Sequence, residues 1–377
     1  MILPLLLVLG SGPQAQAPYD SIVLSGIRRG AYPGAVLVVG RKDRIVYAKG
    51  YGHLTWSSRS PADLPDSTLF DLASLTKAVA TTTAAMILVD RGRLALDTPV
   101  VRYLPEFHGA GTAGITVRML LTHTSGLRGD LPTPELRALD GPAALLRAVL
   151  AETPRTPPGS RVVYSDLNFV LLGEIIGRVS GEPLDRFVTR EVFAPLGLAD
   201  TRYLPPARLA ARAAPTGLWH GHPVAGAVND PTAAKAGGVS GNAGLFSTGS
   251  DLARFAQFLL RGGTRPDGTP LVSPGTLRLF TTRSPQADVG PDHRALGWEA
   301  VPTDEKVSSA GTRFGPRSFG HTGWTGTSLW VDPDRDLFVI LLTNRAFAPR
   351  SRTPFTVLKE VRGRLADAAA RWSDGAR

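Results

Sequence analysis

Hydrophobic positions along the chain change their period twice. Between Gly34 and Tyr51, Ala35-Val36-Leu37-Val38-Val39 and Ile45-Val46-Tyr47-Ala48 flank the polar Arg41-Lys42-Asp43-Arg44, which predicts a hairpin of two β-branched strands. From Leu75 to Gly92 the residues are almost continuously helix-compatible and apolar around most of the surface, so a buried helix ending at Gly92 is expected. Further helices are predicted at about Val117–Leu121, Pro142–Ala151, Leu167–Ser180 and Leu184–Val192. Another spans about Ser250–Arg261, with Ser250-Asp251 as its cap and Leu252, Phe255, Phe258 and Leu259 on one face. After Gly297 the period returns to two. Strands are predicted at Ser328–Asp332 and Leu337–Asn344, joined by the turn Pro333-Asp334-Arg335-Asp336, and a terminal helix at about Thr356–Trp372. The Pro/Gly-rich stretches Pro205–Pro231 and Ser308–Arg317 read as surface loops.

Strands at both ends with helices between them close most simply as an α/β (α+β) fold. One antiparallel sheet is built from both chain ends and flanked by helices, with a mostly helical insertion beside it. The expected division is a sheet subdomain at about 18–70 and 290–377 and a helical subdomain at about 71–289. Met1–Ala17 stands apart. It is uncharged, apolar from Ile2 to Leu9, broken at Gly10-Ser11-Gly12-Pro13, and closes on Ala15-Gln16-Ala17, the small-x-small pattern of a signal-peptidase site. Export to the periplasm or the medium, after removal of residues 1–17, is the expectation. The competing reading of the segment is a buried N-terminal strand.

Composition narrows the function. Of 377 residues 43% are hydrophobic and 20% charged, which suits a folded globular chain and not a disordered or fibrous one. No apolar run reaches the length of a spanning helix. Cysteine is absent, which removes thiol catalysis and Cys-based zinc sites. The net charge of +10 comes mainly from arginines scattered among Ala, Gly and Pro, without a basic stripe, so nucleic acid is not an expected partner. His220-Gly221-His222 lacks a third ligand at a supporting spacing, and no phosphate loop or dinucleotide fingerprint occurs, so neither metal nor cofactor is expected.

The candidate chemistry begins at Ser74-Leu75-Thr76-Lys77. A spacing of three puts both side chains on one face of a helical turn. A desolvated lysine has a lowered pKa, so a neutral Lys77 amine is expected to take the Ser74 proton. The free N–H groups of a helix start lie near Ser74, where an oxyanion would form. The motif alone is a weak signal; two others strengthen it. Tyr164-Ser165-Asp166-Leu167-Asn168 directly precedes a predicted helix, and His321-Thr322-Gly323-Trp324 enters an apolar strand.

Ser-x-x-Lys, then Tyr-Ser-(Asn/Asp), then (Lys/His)-Thr-Gly resemble in their order the penicillin-recognising serine hydrolases. The nearer likeness is to class C β-lactamases, D-alanyl-D-alanine carboxypeptidases and related esterases. Leu120-Leu121-Thr122-His123-Thr124-Ser125-Gly126-Leu127 and Gly244-Leu245-Phe246-Ser247-Thr248 match as well. The resemblance implies a β-lactamase/transpeptidase-like fold and an acyl-enzyme formed on an ester, amide or β-lactam. The alternative is a penicillin-binding or wall-sensing module that acylates with little turnover. It implies Ser74 as nucleophile, Lys77 as its proton acceptor, Tyr164 as second proton-transfer group, and the N–H groups of Ser74 and Trp324 as oxyanion hole. Thr322 and Gly323 would line the substrate's carboxylate side, beside His321. His123 reads as part of a structural turn. Two departures stand out. Asp166 occupies a position where many relatives carry Asn, so that either Asn168 substitutes or Asp166 serves otherwise, as a helix-capping carboxylate like Asp251. His321 replaces Lys; with an ordinary histidine pKa it would attract a substrate carboxylate only below neutral pH. The expected partner is a small-molecule or peptidoglycan-like substrate. No residue pattern specifies an oligomeric state.

Overall fold

The structure, a computed structural model, describes residues 18–289, 293–302, 308–347 and 355–375. Met1–Ala17, the expected signal peptide, lies outside the described residues. The strands, in chain order, are β1 (Gly34–Gly40), β2 (Ile45–Gly52), β3 (Phe70–Asp71), β4 (Arg202–Tyr203), β5 (Gly217–Trp219), β6 (His222–Val224), β7 (Leu245–Ser247), β8 (Glu299–Ala300), β9 (Phe319–Thr322), β10 (Ser328–Asp332) and β11 (Leu337–Thr343). The main sheet runs β2-β1-β11-β10-β9-β8, every pair antiparallel, so strands from both chain ends meet at its centre. Ala35 lies opposite Thr343 and Val39 opposite Val339. A three-stranded sheet, β3-β7-β4, joins the segment before Ser74 to the middle of the chain, and β5 pairs with β6 as a separate hairpin.

Every residue of β1 is buried because both faces of the sheet are covered. Its side chains alternate between two cores. Val36 and Val38 pack with Leu329, Val331, Phe338, Ile340 and the helix Gly249–Leu260. Ala35, Leu37 and Val39 pack with Trp330, Val339, Leu341 and the C-terminal helix Phe355–Gly375, beside the helix Tyr19–Arg28. The helical part of the chain packs on the first face, so the catalytic candidates arise where that part meets β9.

Local structure departs from the sequence reading at three places. The segment expected as one helix from Leu75 begins with wide π-helical turns, Lys77–Thr82, before the α-helix Thr83–Asp90. There Lys77 Nζ donates to Asn242 O and Thr81 Oγ1 to Gly241 O, so the backbone follows a fixed neighbour and not its own propensity alone. The helix Gly249–Leu260 is capped by Thr248, whose hydroxyl accepts from Asp251 N–H, and not by Ser250-Asp251. The buried Asp251 carboxylate instead accepts from Asp200 N–H and Thr201 Oγ1. The stretch read as loop from Pro205 to Pro231 contains β5, β6 and the short helix Ala207–Ala210.

Candidate active site

Ser74 follows an unusual backbone. Ala73 sits at φ 46°, a left-handed conformation that a side chain resists, held by Asp71 Oδ1 accepting from Ala73 N–H at 2.8 Å. The tight turns Thr76 N–H to Ala73 O and Lys77 N–H to Ser74 O then lead into the buried helix. Lys77 is wholly buried, and its Nζ donates to Ser74 Oγ at 3.0 Å and to Asn242 O at 2.9 Å. The same Nζ lies 2.5 Å from Asp166 Oδ1. Burial by itself pushes the ammonium toward neutrality, but the Asp166 charge and the Tyr164 phenol oppose it, and the net shift is upward. The neutral amine expected from desolvation is therefore not the resting form; Lys77 rests as an ammonium paired with Asp166.

The segment 164–168 is positioned by the turn around His123. His123 stands at φ 59°, buried, with its carbonyl accepting from Val163 N–H and its Nδ1 accepting from Ser165 N–H at 3.0 Å. Its ring packs at a tilt against Tyr164, with centroids 4.5 Å apart, and against Phe169 at 5.2 Å. Burial, then Arg294 and Lys77, keep this imidazole neutral, far below the usual histidine range. The Tyr164 hydroxyl interacts with Ser74 and Lys77; burial raises its pKa, against the pull of Lys77. Ser165 precedes the helix Asp166–Ser180, so Asp166 falls in the first turn. Asp166 does not cap that helix through its side chain, which is turned to Lys77. Asn168 is completely buried, its Oδ1 accepting from Ser125 Oγ at 2.6 Å.

Strand β9 brings the third segment. The turn after it is tied to the residues before Ser74: Thr325 Oγ1 donates to Asp71 O at 2.7 Å and Thr327 Oγ1 to Leu72 O at 2.9 Å. Only glycine fits between, since a Cβ on Gly323 would lie 2.3 Å from Leu72 O. Behind the turn, buried Arg362 donates to Thr327 O at 2.7 Å. Neither Ser74 N–H nor Trp324 N–H is engaged in a hydrogen bond among the described residues. The Trp324 side chain is 62% exposed and stacks on Phe355, with the Arg345 guanidinium over both rings.

His321 differs from its expected role. It is buried, and its Nδ1 lies 2.8 Å from Thr322 O, a group that can only accept; Nδ1 therefore carries the hydrogen and Nε2 is left as a bare acceptor. Burial, then the nearby cations Arg294 and Lys77, push its pKa down to about 3. It is neutral across the physiological range and cannot supply the conditional positive charge. Thr322 Oγ1 donates to Glu299 Oε1 at 3.3 Å.

The structure thus gathers Ser74, Lys77, Tyr164 and Asp166 around one ammonium, with His321–Trp324 beside them. Sequence reasoning missed Asn242, which fixes Lys77 through a backbone carbonyl, and Arg294, whose guanidinium lies over the Tyr164 ring at 5.3 Å. No local motif could have marked either, because a carbonyl is common to all residues and Arg294 is one arginine among many. Among the described residues no group of three or more His, Asp or Glu side chains gathers as a metal site.

A serine and a lysine on one helical turn, with a tyrosine from a second segment and a strand-edge Thr-Gly from a third, define a serine hydrolase of the β-lactamase type. Residues 20–361 match the beta-lactamase family, and the chain belongs to it. It is 34% identical over 360 residues to an Escherichia coli (strain K12) protein named "Putative D-alanyl-D-alanine carboxypeptidase", covering 84% of this chain and 80% of that one. Among solved structures it is similar to a penicillin-binding protein homologue from Caulobacter crescentus, at 25% identity and TM-score 0.71 over 93% of this chain and 97% of the other. The fold is also that of EstCE1, a hydrolase with promiscuous acyltransferase activity, at 24% identity and TM-score 0.73, again over 93% and 97%.

Proposed function

We propose that the protein is an exported serine hydrolase that forms an acyl-enzyme at Ser74 on an ester, amide or β-lactam of peptidoglycan-like or small-molecule origin. The observation that carries this reading is the three-centre contact of Lys77 Nζ with Ser74 Oγ and Asp166 Oδ1, at 3.0 and 2.5 Å. An ammonium cannot accept a proton, so the base is the ion pair as a unit. As Ser74 Oγ bonds to the substrate carbonyl carbon, its proton passes to Nζ while Nζ releases one to Asp166 Oδ1. The oxyanion is held by Ser74 N–H and Trp324 N–H. When the scissile bond breaks, the leaving group takes a proton from the Tyr164 hydroxyl, which is refilled through Lys77 from Asp166. Water then attacks the ester carbonyl and gives a proton to the same relay, which returns one to Ser74 Oγ as the acyl–oxygen bond breaks, releasing the acid and restoring the serine hydroxyl. Export is supported by the character of residues 1–17 and by the relatives' type; no described helix is long and apolar enough to cross a membrane.

The test is covalent. Wild-type protein should be labelled by a fluorescent penicillin and should turn over at least one of nitrocefin, a short nitrophenyl ester and a D-Ala-D-Ala peptide. Ser74→Ala should lose both properties with an unchanged circular dichroism spectrum. Retention of wild-type turnover by Ser74→Ala would falsify the mechanism.

A further inference from the structure

A small cavity lies between the C-terminal helix and the main sheet, on the face turned away from the helical part of the chain. It measures about 10 Å³, room for one water-sized particle, and every residue that lines it is buried. Its polar lining is Arg362 from the helix, Trp330 and Ser328 from β10, and Ser309; Val339 and Leu341 of β11 belong to its apolar wall. Arg362 is 2% exposed and gives Nη2 to the carbonyls of Gly323 and Thr327. Its Nε and Nη1 are buried without a hydrogen-bond partner, and so is Trp330 Nε1. None of these three groups can accept, so two residues bordering one small space hold three unused donors. Among the described residues no carboxylate pairs with Arg362. Burial pushes its pKa down to about 9, with Glu299 opposing and Arg345 adding to the fall, so it is still a cation at neutral pH. The Glu299 carboxylate is engaged elsewhere, by the Thr322 hydroxyl. A buried guanidinium without an anion is costly, and here the space for one adjoins it.

We propose that this cavity is the site of a single monatomic anion, chloride under ordinary conditions, bound by Arg362 and Trp330. The volume excludes acetate, phosphate and any substrate group, so the site lies outside the reaction and acts on the fold. Water matches the volume but not the chemistry. It accepts from two donors at most and leaves the charge uncompensated, whereas a halide accepts from all three and cancels it. The consequence reaches the candidate active site through Arg362. The two carbonyls that this side chain holds, Gly323 O and Thr327 O, flank the turn that carries Trp324 N–H. An anion that fixes the guanidinium therefore fixes the turn. Binding is independent of the acyl-enzyme reading; only its effect on acylation rests on that reading.

The experiment exchanges the protein into potassium gluconate and titrates in potassium chloride or bromide at constant ionic strength. The midpoint of thermal unfolding should rise saturably, by about 2 °C or more, as expected for a ligand that binds only the folded state. The rate of labelling by a fluorescent penicillin should rise at least about threefold with the same half-saturating concentration. Crystals grown in bromide should show an anomalous scattering peak between Arg362 and Trp330. Trp330→Phe keeps the ring and removes one donor to a charged acceptor, so it should raise the half-saturating concentration about tenfold or more. Arg362→Gln should abolish the response. Should that variant not fold, Trp330→Phe and the wild-type measurements decide alone. A midpoint that ignores the exchange of gluconate for halide, or changes linearly without saturation, overturns the proposal. So does a water molecule in place of the bromide peak, or a response that Trp330→Phe leaves intact. A stability response with an unchanged labelling rate rejects the link to the turn. Ser74→Ala separates this site from the hydrolase reading, since it should lose labelling and keep the halide response. If wild type is labelled and shows no halide response, the anion site alone fails; if it responds to halide and is never labelled, the acyl-enzyme reading alone fails.

Discussion

At the scale of single residues, the proposed chemistry turns on Asp166. An asparagine there could donate to a substrate carbonyl, whereas an ionised aspartate cannot. In this chain the carboxylate lies on the lysine and holds it charged despite complete burial. Asp166→Asn removes the opposing charge, leaving burial to lower the Lys77 pKa. The variant must then use the neutral amine as its base. Acylation at pH 7 should fall on the order of 10²–10⁴-fold. The pH dependence should also change: the variant's acylation rate rises from pH 7 to 9.5 as the amine deprotonates, where the wild-type rate shows no such rise. Stopped-flow acylation across that range checks it. A parallel, pH-independent loss would leave Asp166 as a mere structural neighbour.

At the scale of elements, the site is held by stitches between segments distant in sequence. The hydroxyls of Thr325 and Thr327 tie the turn after β9 to Asp71 O and Leu72 O, two and three residues ahead of Ser74. Replacing both with Val should free the Trp324 N–H from its fixed aim. Because an oxyanion donor acts mainly in the transition state, kcat should fall at least about tenfold with KM changed less than threefold. Two buried carbonyls lose their donors, at about 1 kcal/mol each, so thermal unfolding should move down by several degrees. A rise in KM alone would show that the turn binds substrate without serving the oxyanion. These elements differ in how well the sequence announced them. The strands β1, β10 and β11 were legible as continuous apolar runs buried on both faces, β2 as the partner that follows β1 across a polar turn, and the helix Asp166–Ser180 by its buried apolar residues. The π-helical start at Lys77 and the Thr248 cap were not, because both answer to partners, Gly241–Asn242 and Asp200–Thr201, that only the folded chain supplies. The same holds in the site. Ser74, Lys77 and Tyr164 stand in recognisable spacings, while the charge of Lys77, the neutrality of His321 and the presence of Arg294 are properties of an environment.

At the scale of the whole molecule, one buried acid sets a pH dependence of stability. Asp63 is 2% exposed beside Gly34, neither of its carboxylate oxygens has a hydrogen-bond partner, and burial pushes its pKa up to about 7. The folded state therefore holds this proton more tightly than the unfolded chain, whose carboxyl titrates near 4. Between those values the folded state binds more protons than the unfolded one, so this group makes stability fall as pH rises from about 4 to 7. The full cost, at most about 4 kcal/mol, is reached above pH 7. Asp63→Asn should accordingly raise the urea midpoint at pH 8 and lose most of that gain by pH 5. Equal gains at both pH values would show that the carboxyl is not titrating.

The pairing of β1 with β11 has a consequence in time as well as in space. About three hundred residues of chain separate Ala35 from its opposite, Thr343, and that pair lies inside the sheet, not at its edge. Closing so long a loop costs entropy before any pairing compensates it, which makes such sheets slow to form. Ribosomal synthesis delivers the first strand long before its partner. Until Leu337–Thr343 emerges, β1 has a neighbour on one side only, and the strands β8, β9 and β10 are not yet joined to the hairpin β1–β2. The candidate active site, which includes β9, is thus among the last parts of the molecule to be completed. Under the proposed export this ordering is an asset, since a chain that stays open until its final strand is made remains threadable through a translocation channel.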